Sequence, residues 1–597
     1  MKKIYNQLRS FIPIFGKVIG LMWKTSKGSL ILMFFLSVLS GCINTGTLVI
    51  SKYFVDNLTN TLILQKWNWQ PIYWLFIILL VAVFNSVVSS FRQYVSDNFT
   101  EKLSLHISDM IISKTVKLEM KNFDNEVTYN KIRTAADETP DRCIVIISVI
   151  ESLVVGCIQL IGAFAILISM DWIIVLVSFI SSIPLFLLSC HISEFWFKIS
   201  MGRVEKLRLA DAIKQILLKN DYIKELKLFQ ISKYLKDILM DQQKKFNIEN
   251  RKARKKFTII NNLGTGLNDI ISFLLKLWII LVSIQNKLSI GSVSMYIAAV
   301  DTFQSSVINI LQQFSSGYEQ LLYINYIFEI EKMKGEEESN LLEIDEPIKK
   351  IEFRNVYFFY PDTDKLVLNN VSFIMNSEKT YAIVGVNGTG KTTLIKLILR
   401  LYLPSAGTIL INDKDIKNLS PSSIRKQITS VFQDFIKYPF TVKENITLSD
   451  IINSNNINRL ISSSEATCAH EFINDLPKKY NSQLQREWKE GIELSGGQWQ
   501  KLAISRCLFK EANIMILDEP FSAIDVLSEK KIIEHIRKAK EKKICLFVTH
   551  RYTSIQLADY IFVFENGRVV ESGTHSYLLS QNNLYSNLIN AQIIIDK

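Results

Sequence analysis

Long runs of apolar residues dominate the first half of the chain. Six of them are long enough to cross the hydrocarbon core of a membrane, since a spanning helix needs about 20 residues. The third and fourth runs are separated by little more than Asp171, which predicts a tight helical hairpin. The runs lie near residues 29–52, 71–93, 143–169, 172–195, 257–285 and 290–322. The pattern predicts a six-span, α-helical transmembrane domain.

The pattern changes after about Asn325. From there, short apolar runs are separated by Gly, Asn, Asp and Ser, which is typical of an α/β domain. We therefore expect a transmembrane domain over 1–325, a linker over 326–348 and a second domain over 349–597. An amphipathic stretch over 11–24 is too short to span, and we expect it to form a helix along the membrane surface.

Composition indicates the class of protein, and the distribution of charge indicates how the chain is oriented in the membrane. A chain of 597 residues that is 48% hydrophobic is too large for one core and too apolar for disorder, which favours a membrane protein with a folded soluble part. Lys and Arg concentrate after the second and fourth spans, so the positive-inside rule places those segments, both termini and the second domain in the cytoplasm. Lipid head groups account for the net charge of +12, and we expect no nucleic-acid binding.

The seven cysteines are scattered along the chain, without a CxxC pair or a neighbouring cluster of histidines. This spacing indicates neither a disulfide framework nor a zinc site.

A glycine-rich loop follows a predicted strand at Tyr381–Val384, and a helical pattern begins after it. Glycines allow consecutive backbone N–H groups to surround phosphate oxygens, the lysine reaches the outer phosphates, and the Thr392 hydroxyl holds magnesium. The alternative, a flexible turn, is disfavoured by the strand before the loop and the helix after it. The expected nucleotide-binding residues here are Gly385, Asn387, Gly388, Gly390, Lys391, Thr392 and Thr393.

Two acidic residues end another apolar strand, Ile514–Leu517. In this position Asp518 is expected to bind the metal, and Glu519 to polarise the water that attacks the γ-phosphate. Alone, an acidic pair at a strand end is more often a helix cap, so the interpretation depends on the glycine loop. Together the two motifs predict a P-loop nucleoside triphosphate hydrolase.

Further motifs occur in a fixed order: Gln433, then Leu494-Ser495-Gly496-Gly497-Gln498, then Ser522-Ala523-Ile524-Asp525, then Thr549-His550. With the glycine loop and the acids, this order over about 350–580 resembles the nucleotide-binding domain of ABC transporters. The six preceding spans resemble those of exporter half-transporters, so the resemblance covers nearly the whole chain. It implies a helical transmembrane domain joined to an α/β P-loop nucleotide-binding domain that uses ATP and Mg²⁺.

The resemblance implies roles for single residues. Tyr360 looks like the aromatic residue that stacks on adenine, although a core position is the alternative, and Phe358 is expected in the core. Gln433 would contact magnesium and water. His550 would lie near the γ-phosphate and act with Glu519 in hydrolysis.

The resemblance also implies that the chain works as a homodimer. Ser495, Gly496, Gly497 and Gln498 lie at a helix N-terminus, and in the family they meet the γ-phosphate held by the other subunit. Asp525 is carried over to the nucleotide site. Trp499, Phe521 and Ile524 depart from the family pattern, but none replaces a phosphate or metal ligand. Both sites of a homodimer are therefore expected to hydrolyse ATP; a dimer with a partner of different sequence is the alternative.

Substrate identity is suggested by a narrower resemblance. The strings Val431–Tyr438 and Glu493–Ala503 are similar to those of exporters of lantibiotics and related modified peptides from Gram-positive bacteria. The function expected is export of such a peptide across the cytoplasmic membrane by alternating access. The alternatives are a lipid or multidrug exporter and, from a different class, an ATP-gated channel or sensor.

Polar residues within the membrane half carry two more expectations. Phe123–Asn125 and Ile223–Phe229 look like the intracellular elbows that dock onto nucleotide domains, with a solvated amphipathic helix as the alternative. Asp269, Lys276 and Asp301 lie in spans, where charges are costly. They line a polar translocation path in one interpretation. In the alternative, Asp269 and Lys276 neutralise one another or lie at cytoplasmic depth.

Overall fold

The structure is a computed structural model that describes residues 2–65, 67–336, 341–386, 388–538, 543–556 and 558–595. The chain divides into two units. The first comprises Met1–Val116 and Asn130–Lys332, and the second comprises Lys117–Tyr129 and Met333–Lys597.

Helices alone form the part of the chain up to Lys332 that the structure describes. They are α1 (Lys2–Thr25), α2 (Lys27–Leu64), α3 (Gln70–Val116), α4 (Lys121–Asp124), α5 (Glu126–Ile168), α6 (Trp172–Leu218), α7 (Asn220–Leu228), α8 (Ser232–Gln285) and α9 (Ile290–Lys332). The six predicted apolar runs fall on α2, α3, α5, α6, α8 and α9, which extend well beyond them. The helical fold of this half is thereby confirmed, with one long helix on each predicted run.

Four stretches among the described residues are long and apolar enough to cross a membrane: α2, α3, Arg142–Ile168 of α5, and α8. In α6 the corresponding apolar part is the shorter Trp172–Pro184. The predicted hairpin between α5 and α6 is present. The Asp171 carboxylate accepts a hydrogen bond from the Ile173 backbone N–H at 3.0 Å and caps α6, so two helices meet at a turn of three residues.

Polar side chains join the helices of the first unit at a few points. The Gln304 amide of α9 donates to the Ser181 hydroxyl of α6 at 3.1 Å, and both residues are buried. Near one end of α2, the Asp56 carboxylate accepts from the Gly291 backbone N–H at 2.8 Å and the Ser289 hydroxyl at 2.9 Å. Asp56 therefore caps the N-terminus of α9 from a different helix.

The second unit contains ten strands in the described residues. They are β1 (Lys350–Phe359), β2 (Leu366–Asn376), β3 (Lys379–Gly385), β4 (Ala406–Ile411), β5 (Lys414–Asp415), β6 (Ile428–Val431), β7 (Ile514–Asp518), β8 (Ile544–Val548), β9 (Tyr560–Glu565) and β10 (Arg568–Gly573).

Ten further helices accompany them. They are α10 (Lys391–Ile398), α11 (Pro421–Lys426), α12 (Val442–Thr447), α13 (Ile457–Ala466), α14 (His470–Asn474), α15 (Gly496–Phe509), α16 (Val526–Lys538), α17 (Tyr552–Gln556), α18 (His575–Ser580) and α19 (Leu584–Ile595). Short 3₁₀ turns occur at Ile416–Asn418, Ile451–Asn453 and Lys479–Asn481.

The strands form two sheets. A four-stranded antiparallel sheet has the order β2-β1-β4-β5, and a six-stranded sheet has the order β10-β9-β3-β8-β7-β6. In the second sheet β9, β3, β8, β7 and β6 run parallel. Strands β7 and β8 are entirely apolar up to their last residues and fully buried, as expected for central parallel strands. The carboxyl ends of β3, β6, β7 and β8 therefore lie at one edge, where ligands bind in such folds.

Candidate functional site

The glycine loop connects the end of β3 at Gly385 to the start of α10 at Lys391. Gly388 and Gly390 have φ values of +82° and +99°, a conformation that residues with a Cβ rarely adopt. Asn387, which the sequence assigns to this loop, lies outside the described residues. The turn and the helix start together present the backbone N–H groups that an anionic phosphate requires.

Lys391 is buried beneath this loop. Its ammonium group donates to the Gly385 carbonyl oxygen and, at 3.2 Å, to the Val386 carbonyl oxygen. Its Nζ also lies 2.9 Å from Nε2 of His550. Burial lowers the pKa of Lys391, while the carboxylates of Glu519 and Asp518 act to raise it. The lysine is thus held by the loop at the edge of the sheet, among the charged groups assigned to catalysis.

Asp518 ends the buried strand β7, and its side chain faces the first turn of α10. The Thr392 hydroxyl donates to its carboxylate at 3.3 Å. Burial raises the pKa of Asp518 to about 6, partly offset by the Thr392 hydrogen bond. A hydroxyl beside a carboxylate is a hard oxygen donor set, so these two residues fit Mg²⁺.

Three loops from neighbouring strands bring Glu519, Gln433 and His550 together. The Gln433 amide donates to Oε2 of Glu519 at 3.3 Å, and Nε2 of His550 lies 3.6 Å from Oε1 of the same carboxylate. Glu519 has a φ of +45°, which is strained for a residue with a side chain, and its N–H donates to the Val548 carbonyl at 2.8 Å. Burial first, and then the charge of Lys391, lower the pKa of His550. Sequence motifs 86 residues apart therefore converge on one carboxylate.

The residues Ser495 to Gln498 form a separate cluster at the N-terminus of α15. The Ser495 hydroxyl accepts from the Gln498 backbone N–H at 3.3 Å, and the Gln498 side chain accepts from the Ser495 N–H at 2.9 Å. This capping box starts the helix and leaves Gly496 and Gly497 in its first turn. A Cβ on Gly497 would lie 2.6 Å from the Ala523 carbonyl oxygen, so only glycine permits this approach.

Gln500, which the sequence analysis did not select, links the two clusters. Its amide nitrogen donates to the Glu519 carbonyl oxygen at 3.2 Å and to the Ser522 hydroxyl at 3.0 Å, and its oxygen accepts from the Ala523 N–H at 2.8 Å. The side chain is buried. In the sequence, Gln500 is marked only as a polar residue within a predicted helix. This does not identify its partners, which lie about 20 residues further along the chain.

Asp525 begins the turn into α16. Its carboxylate accepts from the Ser528 backbone N–H at 2.8 Å and lies 3.6 Å from the Lys501 ammonium. The hydrogen bonds from Ser528, first of all that of its backbone N–H, lower the pKa of Asp525 to about 2. The residue is therefore an ionised helix cap on the surface of the second unit.

Tyr360 follows β1 and is half-buried beside α10. Its hydroxyl lies 3.0 Å from that of Thr393, and the Lys396 ammonium lies over its ring, 5.1 Å from the centroid. Its ring also meets the edge of Tyr402, with centroids 5.5 Å apart. Phe358 is buried in the core, as expected. Tyr360 thus stands next to the glycine loop's helix with part of its ring accessible.

The first predicted elbow packs within the second unit. The Lys117 carbonyl accepts from the Glu336 N–H at 2.8 Å, and the Asn125 amide donates to the Asp362 carboxylate at 2.8 Å. The Tyr402 hydroxyl donates to the Asp124 carboxylate. Tyr402 consequently contacts both Asp124 of the elbow and Tyr360.

The second predicted elbow, Ile223–Phe229, lies on α7 and the residue that follows it, in the first unit. The side chains of Leu228 and Phe229 are exposed.

The departures at Trp499 and Phe521 have a packing explanation. Trp499 is 1% exposed and packs with Leu484 and Phe509, and Phe521 is 1% exposed and stacks near Phe547. Both large side chains belong to buried apolar clusters of the second unit.

The whole sequence has relatives among characterised transport proteins. The chain is 30% identical to the subtilin transport ATP-binding protein of Bacillus subtilis over 557 residues, which cover 93% of this chain and 91% of that protein. The chain belongs to the ABC transporter family. Residues 368–522 of this ABC transporter match a family model described as ABC transporter. Residues 30–307 match a second model, described as the ABC transporter transmembrane region.

Two further comparisons extend that result. The transporter is 29% identical to the nisin transport ATP-binding protein of Lactococcus lactis subsp. lactis, over 86% of each chain. The solved structure of a bacterial Atm1-family ABC exporter with ATP bound superposes with a TM-score of 0.75 at 19% identity, over 95% of this chain and 98% of that one. This ABC transporter is thus a multi-pass membrane exporter that binds and hydrolyses ATP.

Proposed function

We propose that this transporter uses ATP hydrolysis to export a modified, lantibiotic-like peptide across the cytoplasmic membrane. The observation that carries the proposal is the similarity, over 93% and 86% of the chain, to proteins named for subtilin and nisin transport. This similarity extends over the first unit, the membrane unit, as well as over the second, the ATPase unit.

In the proposed mechanism the glycine loop and Lys391 bind the phosphates of ATP, and Tyr360 stacks on its adenine. Glu519 accepts the proton of the attacking water, while Gln433 and His550 position that water and the γ-phosphate. Thr392, Asp518 and Gln433 would hold Mg²⁺, which supplies neutralisation of phosphate charge when bound.

The proposed assembly is a homodimer. Ser495, Gly496 and Gly497 present a helix N-terminus, which favours an anion, and Asp525 contacts Lys501 of the same helix. Among the described residues, Ser495 and Gln498 bond each other, and Asp525 contacts Ser528 and Lys501. We assign the phosphate contact of this cluster to ATP held by a second copy. ATP-driven closure of the two ATPase units then turns a cytoplasm-facing cavity outward, with both termini in the cytoplasm.

A lipid or lipophilic drug is the second candidate substrate. An apolar cavity of about 620 Å³ lies between α1, α2 and α5 and is lined by residues such as Met22, Trp23 and Phe34. Such a lining suits a hydrocarbon chain better than a peptide.

The test is the ATPase rate of the purified protein in lipid nanodiscs, with the Glu519→Gln variant as the blank. The protein is titrated with a lantibiotic-type precursor peptide and, separately, with lipophilic drugs. A saturable response to the peptide alone supports the proposal. Stimulation by drugs alone would replace it with lipid or drug export.

A further inference from the structure

A polar cavity of about 410 Å³ lies between α8 and α9 in the first unit. Its polar lining includes Asn268, Asp269 and Lys276 of α8, and Asp301 and Gln304 of α9. The sequence assigns a span to each of these helices, and ionisable groups in a span are costly and are retained when they pair or bind something. The partner of each charged group in this cavity therefore shows whether the cavity has charge left to bind a ligand.

Lys276 is already paired across the two helices. Its ammonium lies 2.7 Å from Oδ1 of Asp301. The sequence left open whether Lys276 pairs with Asp269, and the structure gives it Asp301 instead. Because one ammonium is matched by one carboxylate, the Asp269 carboxylate is surplus, and the cavity carries a net negative charge.

Asp269 has no ion pair or hydrogen bond with any residue that the structure describes, and its side chain is exposed at the cavity. It lies about two turns from Lys276 on the same helix, within one cavity but on a separate part of its wall. A carboxylate in this position attracts a cation and repels an anion.

A second, independent feature points the same way. Asn268 lines the same cavity and is only 9% exposed, yet its carbonyl oxygen Oδ1 has no hydrogen-bond donor among the described residues. Burying an acceptor without a donor is costly, so a ligand that donates to it would be favoured. The cavity therefore presents a carboxylate and a buried carbonyl oxygen, both of which accept hydrogen bonds from an N–H group.

The apolar part of the lining suits the carbon chain that carries an ammonium or guanidinium group. Phe273 and Ile308 belong to the same cavity, and Phe273 is largely exposed. An aromatic face near a carboxylate binds ammonium and guanidinium groups through cation–π attraction, while the aliphatic surface packs on the methylene groups.

We propose that this cavity is a subsite for a protonated amine or guanidinium group of the transported molecule, with Asp269 as the specificity-determining residue. The proposal rests on the export function proposed above and adds the charge of the group recognised. The pair between Lys276 and Asp301 supports this role, because it occupies the ammonium that would otherwise neutralise Asp269.

The test compares binding of two peptides to the full-length transporter in nanodiscs. The probes are a fluorescein-labelled decapeptide of leucine and serine containing two lysines, and the same peptide with both lysine side chains acetylated. We expect the unmodified transporter to bind the lysine form about tenfold more tightly, equivalent to one favourable charge contact. Asp269→Asn should reduce this preference to less than about twofold, and Ser305→Ala, which changes the same cavity without changing its charge, should retain it.

Equal binding of the two peptides, or a preference that survives in Asp269→Asn, overturns the proposal. If Asp269→Asn does not fold, competition with the unmodified protein replaces it: benzylamine should displace the labelled peptide and benzyl alcohol should not. Displacement by both equally also overturns the proposal.

These outcomes are distinct from failure of peptide export. If neither peptide binds, ATPase stimulation by benzylamine, lost in Asp269→Asn, still supports a cationic subsite in a transporter of small amines. Absence of that stimulation rejects the subsite. Conversely, export of both peptides at equal rates retains the export function and rejects the subsite.

Discussion

The two units of this transporter build their sites in different ways. In the ATPase unit the functional groups follow the ends of adjacent parallel strands, so the backbone of the sheet brings Lys391, Asp518 and His550 together. In the membrane unit, polar groups meet through single side-chain contacts between helices, such as Lys276 with Asp301. The nucleotide site is therefore fixed by the topology of the sheet, whereas the polar contacts between the membrane helices depend on a few side chains that can change without changing the fold.

The largest expected effect lies at the strand ends. Glu519→Gln should reduce ATP hydrolysis by about 10²- to 10⁴-fold, because the amide cannot accept the proton of the attacking water. ATP binding, measured with a fluorescent ATP analogue, should stay within about threefold, since Lys391 and its loop are unchanged. Undiminished turnover in this variant would remove Glu519 from the role of base.

A backbone contact in the ATPase unit gives the next effect. Gly497→Ala places a Cβ 2.6 Å from the Ala523 carbonyl oxygen, and we expect a loss of about 1–3 kcal/mol in stability. Gly496→Ala is the matched control, because its Cβ would meet no heavy atom nearer than Ala523 Cβ at 3.8 Å. The measurement is the thermal unfolding midpoint in nanodiscs. Equal midpoints for the two variants would contradict the packing of α15 described above.

A smaller effect is expected at the first elbow. Burial raises the pKa of Tyr402, so its hydroxyl stays protonated and donates to Asp124. Tyr402→Phe removes this hydrogen bond and should lower the substrate-stimulated part of the ATPase rate by about three- to tenfold, with the basal rate unchanged. Tyr560→Phe, which removes a hydroxyl 3.3 Å from Ser572 in the same unit, is the control. A parallel loss of basal and stimulated rates would show that Tyr402 does not act in coupling.

The smallest effect concerns the membrane unit. Asp56→Ala removes the cap that α2 supplies to α9, and we expect a loss of about 1 kcal/mol. Asn57→Ala is the neighbouring control, because the Asn57 amide donates to the Tyr53 carbonyl of its own helix at 2.8 Å. Tryptophan fluorescence during thermal unfolding compares the two. An unchanged midpoint for Asp56→Ala would mean that the remaining helix contacts hold α9 without its cap.

The sequence predicted the six-span fold because apolar runs of about 20 residues have few structural alternatives. It also predicted the α/β class, because apolar strands followed by a glycine loop or an acidic pair specify a local geometry. The roles of Glu519, Gln433 and His550 stay predictions, although their side chains are close to one another.

Contacts set by tertiary structure were less accessible from the sequence. Gln500 bonds the loop after Glu519, and Tyr402 bonds Asp124 across 278 residues, and neither pair follows from periodicity. The pairing of Lys276 was left open for the same reason. Helical spacing relates Lys276 to Asp269 on its own helix, but only the packing of α8 against α9 brings Asp301 to it.

One helix has a mechanical consequence. Helix α8 continues without interruption for 54 residues, which at 1.5 Å per residue gives a rod about 80 Å long. It contains no proline, and the described residues show no break along it. A tilt of about 5° about one end of such a rod moves the other end by about 7 Å, roughly the width of a side chain. The transporter thereby contains a lever in which a small rotation becomes a large displacement.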